Sequence, residues 1–437
     1  SLKLQFSQTF RKFAENMSWK NAAIKYINLY QMNFNTIFIS SFHPSISRNI
    51  FESGVLEELK REPNIRIIIF VPRYKVDYFK KFSSNNVIIE GVEEPMINSR
   101  SIIFRYLTGS IVNSSTRLFH QLDKLRRDGA RVHFYSSRLI ANIFGWSNMV
   151  KKIVRFLDLF FIRKNIFTSF FENYSPSLVF STDVFHNLDV YMMAEAKHRN
   201  VFTVGMIRSW DNITNKGLFR IKPDKLIVHN NIIKDEALKY EDMEDSDIFI
   251  SGLPQFDIYV NSRRMQRDLF FKKISFNPSH KLLFVAPLGR RFCDTDGQVL
   301  QILKNAAERK LISADVRFLV RLPPNDDVVM GNFVANDLFF VHRPGILFKN
   351  NSFSDRELTH QEDISLADSI YHSDVCIIYA STLNIDAAVF DKPTILVSFD
   401  GFTNKSKIES VERFIAYYEH IQKMLRNKSC IVVRSPE

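Results

Sequence analysis

Two successive series of short apolar runs constrain this chain more than any other feature. Each run is rich in β-branched and aromatic residues, and helical stretches separate most of them. The first series comprises 36–41 (TIFISS), 65–71 (IRIIIFV), 86–90 (NVIIE), 131–136 (RVHFYS), 177–181 (SLVFS), 201–206 (VFTVGM), 224–229 (DKLIVH) and a last run at 248–254 that ends in a turn. The second comprises 281–286 (KLLFVA), 316–321 (VRFLVR), 338–341 (LFFV), 374–379 (DVCIIY) and 394–398 (TILVS). Apolar runs of this length read as strands buried on both faces. Strands alternating with helices predict an α/β protein with parallel sheets covered on both sides. The two series meet near 255–280, so the chain divides into 1–258 and 259–437. Helices are expected at 1–33, 50–61, 297–309, 363–372 and 383–390, with one long tail helix at 405–427.

Composition narrows the chemistry. The chain has 437 residues with only 13 glycines and no Gly-x-Gly, which excludes the dinucleotide fingerprint; no P-loop is present either. Three dispersed cysteines (Cys293, Cys376, Cys430) make neither a disulfide framework nor a zinc set. No apolar run is long enough to cross a bilayer. The chain opens on Ser1 with no signal-peptide pattern, which suggests a processed or truncated start and a cytoplasmic location. Lys and Arg number 59 against 47 Asp and Glu, a net charge of +12. That balance suits phosphorylated substrates or an anionic membrane face. No nucleic-acid-binding motif accompanies it, so nucleic acid is not an expected partner.

Three segments carry candidate chemistry. In the first, Asp374 to Ala388, a strand ends at Ser381-Thr382 and opens a helix bearing Asp386. A helix start with two hydroxyls can receive phosphate, and Asp386 can accept from ribose or sugar hydroxyls. Plain helix capping explains Ser381 and Thr382 equally well. In the second, Arg208-Ser209-Trp210-Asp211-Asn212 leads to Lys216-Gly217 after the strand at 201–206. The carboxyl edge of a parallel sheet is where ligands bind. Trp210 can stack on a sugar or base, Asp211 can hold a hydroxyl or take its proton, and Asn212 can hydrogen-bond; a turn with satisfied Asx bonds is the alternative. The third is Gly252-Leu253-Pro254-Gln255-Phe256-Asp257-Ile258-Tyr259.

Together with the turn Asp391-Lys392-Pro393 into the next strand, these segments resemble GT-B glycosyltransferases. The nearer resemblance is to bacterial surface-polysaccharide transferases and CDP-glycerol glycerophosphotransferase-like proteins, over about 200–400. It implies an α/β GT-B fold: two Rossmann-like domains with parallel sheets facing a central cleft and a C-terminal helix crossing back. The acceptor would bind to 1–258, the nucleotide-sugar donor to 259–437, and helix 405–427 would pack on the first domain. Polysaccharide biosynthesis, with a glycan or lipid-linked acceptor, is the implied setting.

Under that resemblance the loop after the first strand, Ser40 to Asn49, holds the acceptor-activating base. His43 is the residue offered there, Arg48 can meet a phosphate, and Asp211 and Asp183 are rival bases. Arg208, Trp210, Asn212 and Lys216 would bind acceptor. Arg290 and Arg291, after the strand at 281–286, would offset charge on the departing phosphate. Arg321 and His342 fall at equivalent strand ends. Asp294-Thr295-Asp296 has the spacing of a metal-binding pair, but it precedes a helix that it can cap, and no metal or other cofactor is expected. A polyol-phosphate transferase of the same fold and a non-catalytic glycan- or partner-binding member are the alternatives; the epimerases of this fold have acid-rich motifs not evident here. Residues 149–171 are basic and very apolar at once. They suit either burial against the sheet or peripheral contact with an anionic membrane.

Overall fold

A computed structural model describes residues 36–62, 64–95, 99–162, 165–348 and 355–437. The expected helix at 1–33 lies outside them, as do Arg163 and Lys164. The chain forms two compact units that part between Pro254 and Gln255.

The first unit has a seven-stranded sheet: β1 (Thr36–Ser40), β2 (Arg66–Pro72), β3 (Val87–Val92), β4 (Leu178–Ser181), β5 (Phe202–Met206), β6 (Lys225–Val228) and β7 (Ile248–Ile250). Its order is β3-β2-β1-β4-β5-β6-β7, and every pairing is parallel. Side chains alternate between the faces, as the pleat requires. Phe38, Ile68 and Phe70 enter one core, while Ile37, Ile39, Ile67 and Ile69 enter the other. The first core is aromatic: Phe38 meets Phe70 edge-on at 4.8 Å and Phe171 at 5.0 Å between ring centroids. Such pairs add about 0.5–1.5 kcal/mol each beyond the area they bury.

The first-unit helices include α1 (Pro44–Ile50), α2 (Val55–Lys60), α3 (Ser99–Ile111), α4 (Ser115–Asp128), α5 (Arg131–Phe144), α6 (Asn148–Phe161), α7 (Thr168–Tyr174), α8 (Asn187–His198), α9 (Asn212–Lys216) and α10 (Asn231–Glu241). The expected helix at 50–61 is interrupted, because Gly54 takes a left-handed φ of 85° just before α2. The expected strand at 131–136 is instead the start of α5. Its β-branched and aromatic composition suits a strand, but Val132, Tyr135, Leu139 and Ile143 recur at helical spacing and lie exposed on one face.

The second unit contains β8 (Lys281–Ala286), β9 (Val316–Arg321), β10 (Phe339–His342), a short antiparallel pair β11 (Ile346–Leu347) and β12 (Arg356–Glu357), then β13 (Val375–Ile378), β14 (Thr394–Val397) and β15 (Ile431–Val433). Its main sheet runs β10-β9-β8-β13-β14-β15, again all parallel. Its helices include α11 (Arg267–Lys273), α12 (Asp296–Glu308), α13 (His360–His372), α14 (Leu383–Val389), α15 (Arg413–Tyr417) and α16 (Glu419–Arg426). The single tail helix expected at 405–427 is a correction. Tyr418 is extended (φ −84°, ψ 109°) and splits the segment into α15 and α16, after which the chain adds β15 beside β14. Phe414 and Tyr418 still pack together, 4.9 Å apart, so the apolar spacing is satisfied without a continuous helix.

Each main sheet has the Rossmann strand order, in which the connections reverse direction between the first and fourth strands. The expected α/β architecture of two successive Rossmann-like domains is therefore present. The reversal opens a crevice beyond the carboxyl ends of β1 and β4 in one unit and of β8 and β13 in the other. Among the described residues no helix is long and apolar enough to cross a membrane.

Buried charge ties the helical excursion between β3 and β4 to the first sheet. Arg220 grips Asp158 of α6 through two hydrogen bonds of 2.7 and 2.8 Å and also reaches Ser101 of α3. Arg155 donates to the Phe219 carbonyl and pairs with Glu241 at 3.1 Å. The Arg220→Met substitution strands Asp158 without its partner and should cost about 3–5 kcal/mol; the Arg220→Met/Asp158→Leu pair should recover most of that. Urea unfolding of the two variants checks this.

Candidate functional site

The reversal point of the first sheet is held shut below and furnished with charge above. The Thr182 N–H donates to Ser40 Oγ at 2.9 Å, and Thr182 Oγ1 donates to the Ser40 carbonyl at 2.7 Å, which joins the ends of β1 and β4. Asp189, in the first turn of α8, sits beneath them. Its Oδ1 accepts from Ser40 Oγ, from Ser181 Oγ at 2.9 Å and from the Asp183 N–H at 3.3 Å. Above this junction the chain delivers His43 after β1, Asp183 and His186 after β4, and Arg208 to Lys216 after β5.

These side chains form one electrostatic cluster. The Asp183 carboxylate is almost fully buried and lies 3.1 Å from the Arg208 guanidinium and 3.8 Å from the Lys216 ammonium. Burial pushes its carboxyl up, but Arg208, Lys216 and the two histidines outweigh burial and hold it below the usual range. His43 is lowered too, to about 3, by burial first and then by the charges of Arg208 and Lys216, against the opposing pull of Asp183. Burial likewise lowers His186 and Lys216. Asp189 is pushed up to about 7, by burial and then by the Asp183 charge. Adjacent carboxyls whose surroundings drive them apart in this way are a mark of acid–base sites. At neutral pH the cluster offers an unprotonated imidazole, an anion beside it that favours a transient imidazolium, and two cations that suit an anionic ligand.

The remaining first-unit candidates are placed differently. Asp211 lies near enough for its charge to act on Lys216. It accepts from Asn212 Nδ2 at 3.2 Å and Asn215 Nδ2 at 3.1 Å, and its charge acts on His120 and His229. Trp210 is half-buried against the first core. Asn212 is buried, and its Oδ1 accepts from the Ser209 N–H, three residues earlier, at 3.3 Å. Arg48 sits half-buried in the last turn of α1. His186 and Asp189 were not among the sequence candidates. His186 caps α8, accepting from the Leu188 N–H at 3.3 Å, and Asp189 reads in sequence as an ordinary acid in a first helical turn.

In the second unit the loop after β8 is built from its backbone. Asp296 accepts from the N–H groups of Leu288 (3.0 Å) and Gly289 (2.9 Å), while the Arg291 N–H donates to Asp326 at 3.0 Å. Gly289 has φ 98°, and a Cβ there would lie 2.6 Å from Asp326 Oδ2, so only glycine fits. This loop leaves Arg290 and Arg291 exposed at the reversal point. Across it, after β13, Ser381 Oγ accepts from the Leu383 N–H at 3.3 Å and Thr382 is exposed. Asp386 faces inward, where it accepts from the Tyr259 hydroxyl. Arg321 is buried and donates to the Glu362 carbonyl at 3.1 Å, and His342 lies half-buried at the end of β10. The acids of the Asp-x-Asp segment have separate partners: Asp294 pairs with Lys405, and Asp296 binds the two loop amides. Among the described residues no group of three or more acids, histidines or cysteines is gathered to hold a metal ion.

No protein-family model matches the chain, and no curated protein does. Among solved structures the chain is similar to UDP-GlcNAc 2-epimerase from Neisseria meningitidis bound to UDP-GlcNAc (10% identity, 92% of this chain and 95% of that one, TM-score 0.48). It is similar to UDP-GlcNAc 2-epimerase from Methanocaldococcus jannaschii (10% identity, 91% and 88%, TM-score 0.48). A glycosyltransferase from Rickettsia africae ESF-5 is similar as well (11% identity, 91% and 94%, TM-score 0.42).

The Asp189 carboxyl has a distinct pH signature. Its folded value of about 7 stands above its ordinary 3.8. Between those values the folded chain keeps a proton that the unfolded chain has released, so the contribution of Asp189 to stability falls as pH rises from about 4 to about 7. The Asp189→Asn variant keeps an acceptor for all three donors and carries no charge. It should gain on the parent by roughly 2–3 kcal/mol between pH 5 and pH 8 in urea unfolding. A constant difference between the two pH values would show that Asp189 titrates as an ordinary carboxylate.

Proposed function

We propose that this chain is a metal-independent glycosyltransferase of the GT-B kind. It would move a sugar from a nucleotide-activated donor to a hydroxyl of a cell-surface glycan or lipid-linked acceptor, working peripherally at the inner face of a membrane. The observation that carries the reading is the cluster of His43, Asp183, Arg208 and Lys216 at the reversal point of a Rossmann-like sheet, in a chain with a second such sheet. An unprotonated imidazole suits removal of a hydroxyl proton, and Asp183 beside it favours the imidazolium that results. The deprotonated oxygen attacks the anomeric carbon, the glycosyl–phosphate bond breaks, and the nucleotide departs with the bonding pair. Arg290 and Arg291 in the second unit oppose the charge that develops on its phosphate, with the Ser381 and Thr382 hydroxyls as further donors. Asp386, committed to Tyr259, has no part in this scheme. Separate commitments of Asp294 and Asp296 favour a route without metal.

The low value at His43 has a kinetic consequence. Burial, and then Arg208 and Lys216, hold the free-enzyme imidazole at about 3, so it stays unprotonated throughout the neutral range. Proton transfer is fastest when the base titrates near the working pH. An anionic ligand against Arg208 and Lys216 would screen their charge and raise the imidazole toward that range.

A thermal-shift and nucleotide-release panel of UDP-, GDP-, CMP- and CDP-linked donors tests the activity. Stabilisation by a nucleotide sugar with acceptor-dependent release is expected. Release only from CDP-glycerol would make the protein a polyol-phosphate transferase, and no binding of any donor would overturn the reading. With the active donor, His43→Gln should lower kcat by about 100-fold or more with little change in donor KM. Arg290→Ala/Arg291→Ala should chiefly weaken the donor, by roughly tenfold or more. The log kcat/KM profile should be level from pH 8 down to pH 5; an acid limb between pH 6 and 7 would assign the base to another group.

A further inference from the structure

Helix α6 is turned inside out. An amphipathic helix of a water-soluble unit buries its apolar stripe and exposes its charges. Here Lys151, Arg155 and Asp158 are the buried positions, tied inward by the pairs with Glu241 and Arg220. Met149, Ile153, Phe156, Leu157 and Phe160 face outward; Phe156 is 69% exposed and Phe160 64%. The preceding helix α5 repeats the pattern with Val132, Tyr135, Leu139 and Ile143, and the turn between the two carries Trp146, 79% exposed. Ile102 and Ile103 of α3 are exposed as well, and α3 contacts both α5 and α6.

The charge around these stripes has one sign. Residues 99–162 contain eleven Lys and Arg against three Asp and Glu, which accounts for eight of the chain's net +12. Arg100, Arg105, Arg131 and Lys152 remain exposed on the same three helices. Exposed apolar stripes with aromatic residues and flexible cations suit an interface between headgroups and acyl chains, where the rings enter and the cations reach lipid phosphates. A protein partner would have to match both the apolar stripes and the positive field, whereas an anionic bilayer supplies both at once.

We propose that α3, α5 and α6 form a membrane-docking face that inserts Trp146, Phe156 and Phe160 at the surface of an anionic bilayer. This deepens the membrane contact named in the proposed function, and its test needs no transferase activity, so either reading can fail without the other. The full chain is floated with vesicles of phosphatidylcholine alone or with about 30% phosphatidylglycerol. Partitioning onto the anionic vesicles should be about tenfold or more stronger and should weaken as salt rises. Phe156→Asp/Phe160→Asp should reduce it about tenfold or more with an unchanged far-UV circular dichroism spectrum. Arg105→Glu/Arg131→Glu, which leaves the apolar stripes intact, should abolish the preference for anionic lipid. Equal binding to both vesicle types, no binding to either, or a stable dimer that the Phe156→Asp/Phe160→Asp variant dissolves would overturn the proposal.

Discussion

The candidate site depends on the joint between β1 and β4. These strands are neighbours in space and 142 positions apart at the Ser40–Thr182 contact. Their connections leave in opposite directions, so beyond their ends no crossover helix covers the sheet. Hydrogen bonds from Ser40, Ser181 and the Asp183 amide to one Asp189 oxygen keep the strand ends level. Residues just beyond each strand end can then present their side chains above the edge. His43 and Asp183 come into one electrostatic set for that reason, and Arg208 and Lys216 join it from the adjacent strand end.

The same joint sets the chemistry of the cluster. Burial and the Asp183 charge push Asp189 toward its protonated form in spite of its three hydrogen bonds. Asp183 stays ionised because two cations and two histidines surround it. Burial, and then those cations, suppress the basicity of His43. Burial and neighbouring charge together thus set His43, Asp183 and Asp189, and an anionic ligand would alter several of these groups together. In the second unit the corresponding reversal point is arranged by backbone contacts. Asp296 and Asp326 hold the loop at Gly289, and the arginine side chains are left outward.

Most strands were legible in the sequence because a strand buried on both faces must be apolar along its length, as Ile65 to Val71 is. Their carboxyl ends were legible too, so His43, Asp183, Arg208 and the pair Arg290-Arg291 could be placed at sheet edges before any geometry. Local pattern misled at 131–136, where β-branched and aromatic residues belong to a helix that exposes them. It misled again at 405–427, where regular apolar spacing spans a break at Tyr418. Asp189 and the inward turn of Asp386 gave no local signal, since their surroundings come from residues distant in the chain.

The sequence by itself determined two parallel α/β units, the ends of their strands and an excess of positive charge. These follow from the period and composition of short segments, which act locally. Only the tertiary structure decided that Asp183 is held below and Asp189 pushed above the ordinary carboxyl range, and that α6 faces its charges inward. Each of those outcomes depends on burial and on the sign of a neighbouring charge. Such properties exist only once remote segments have packed together.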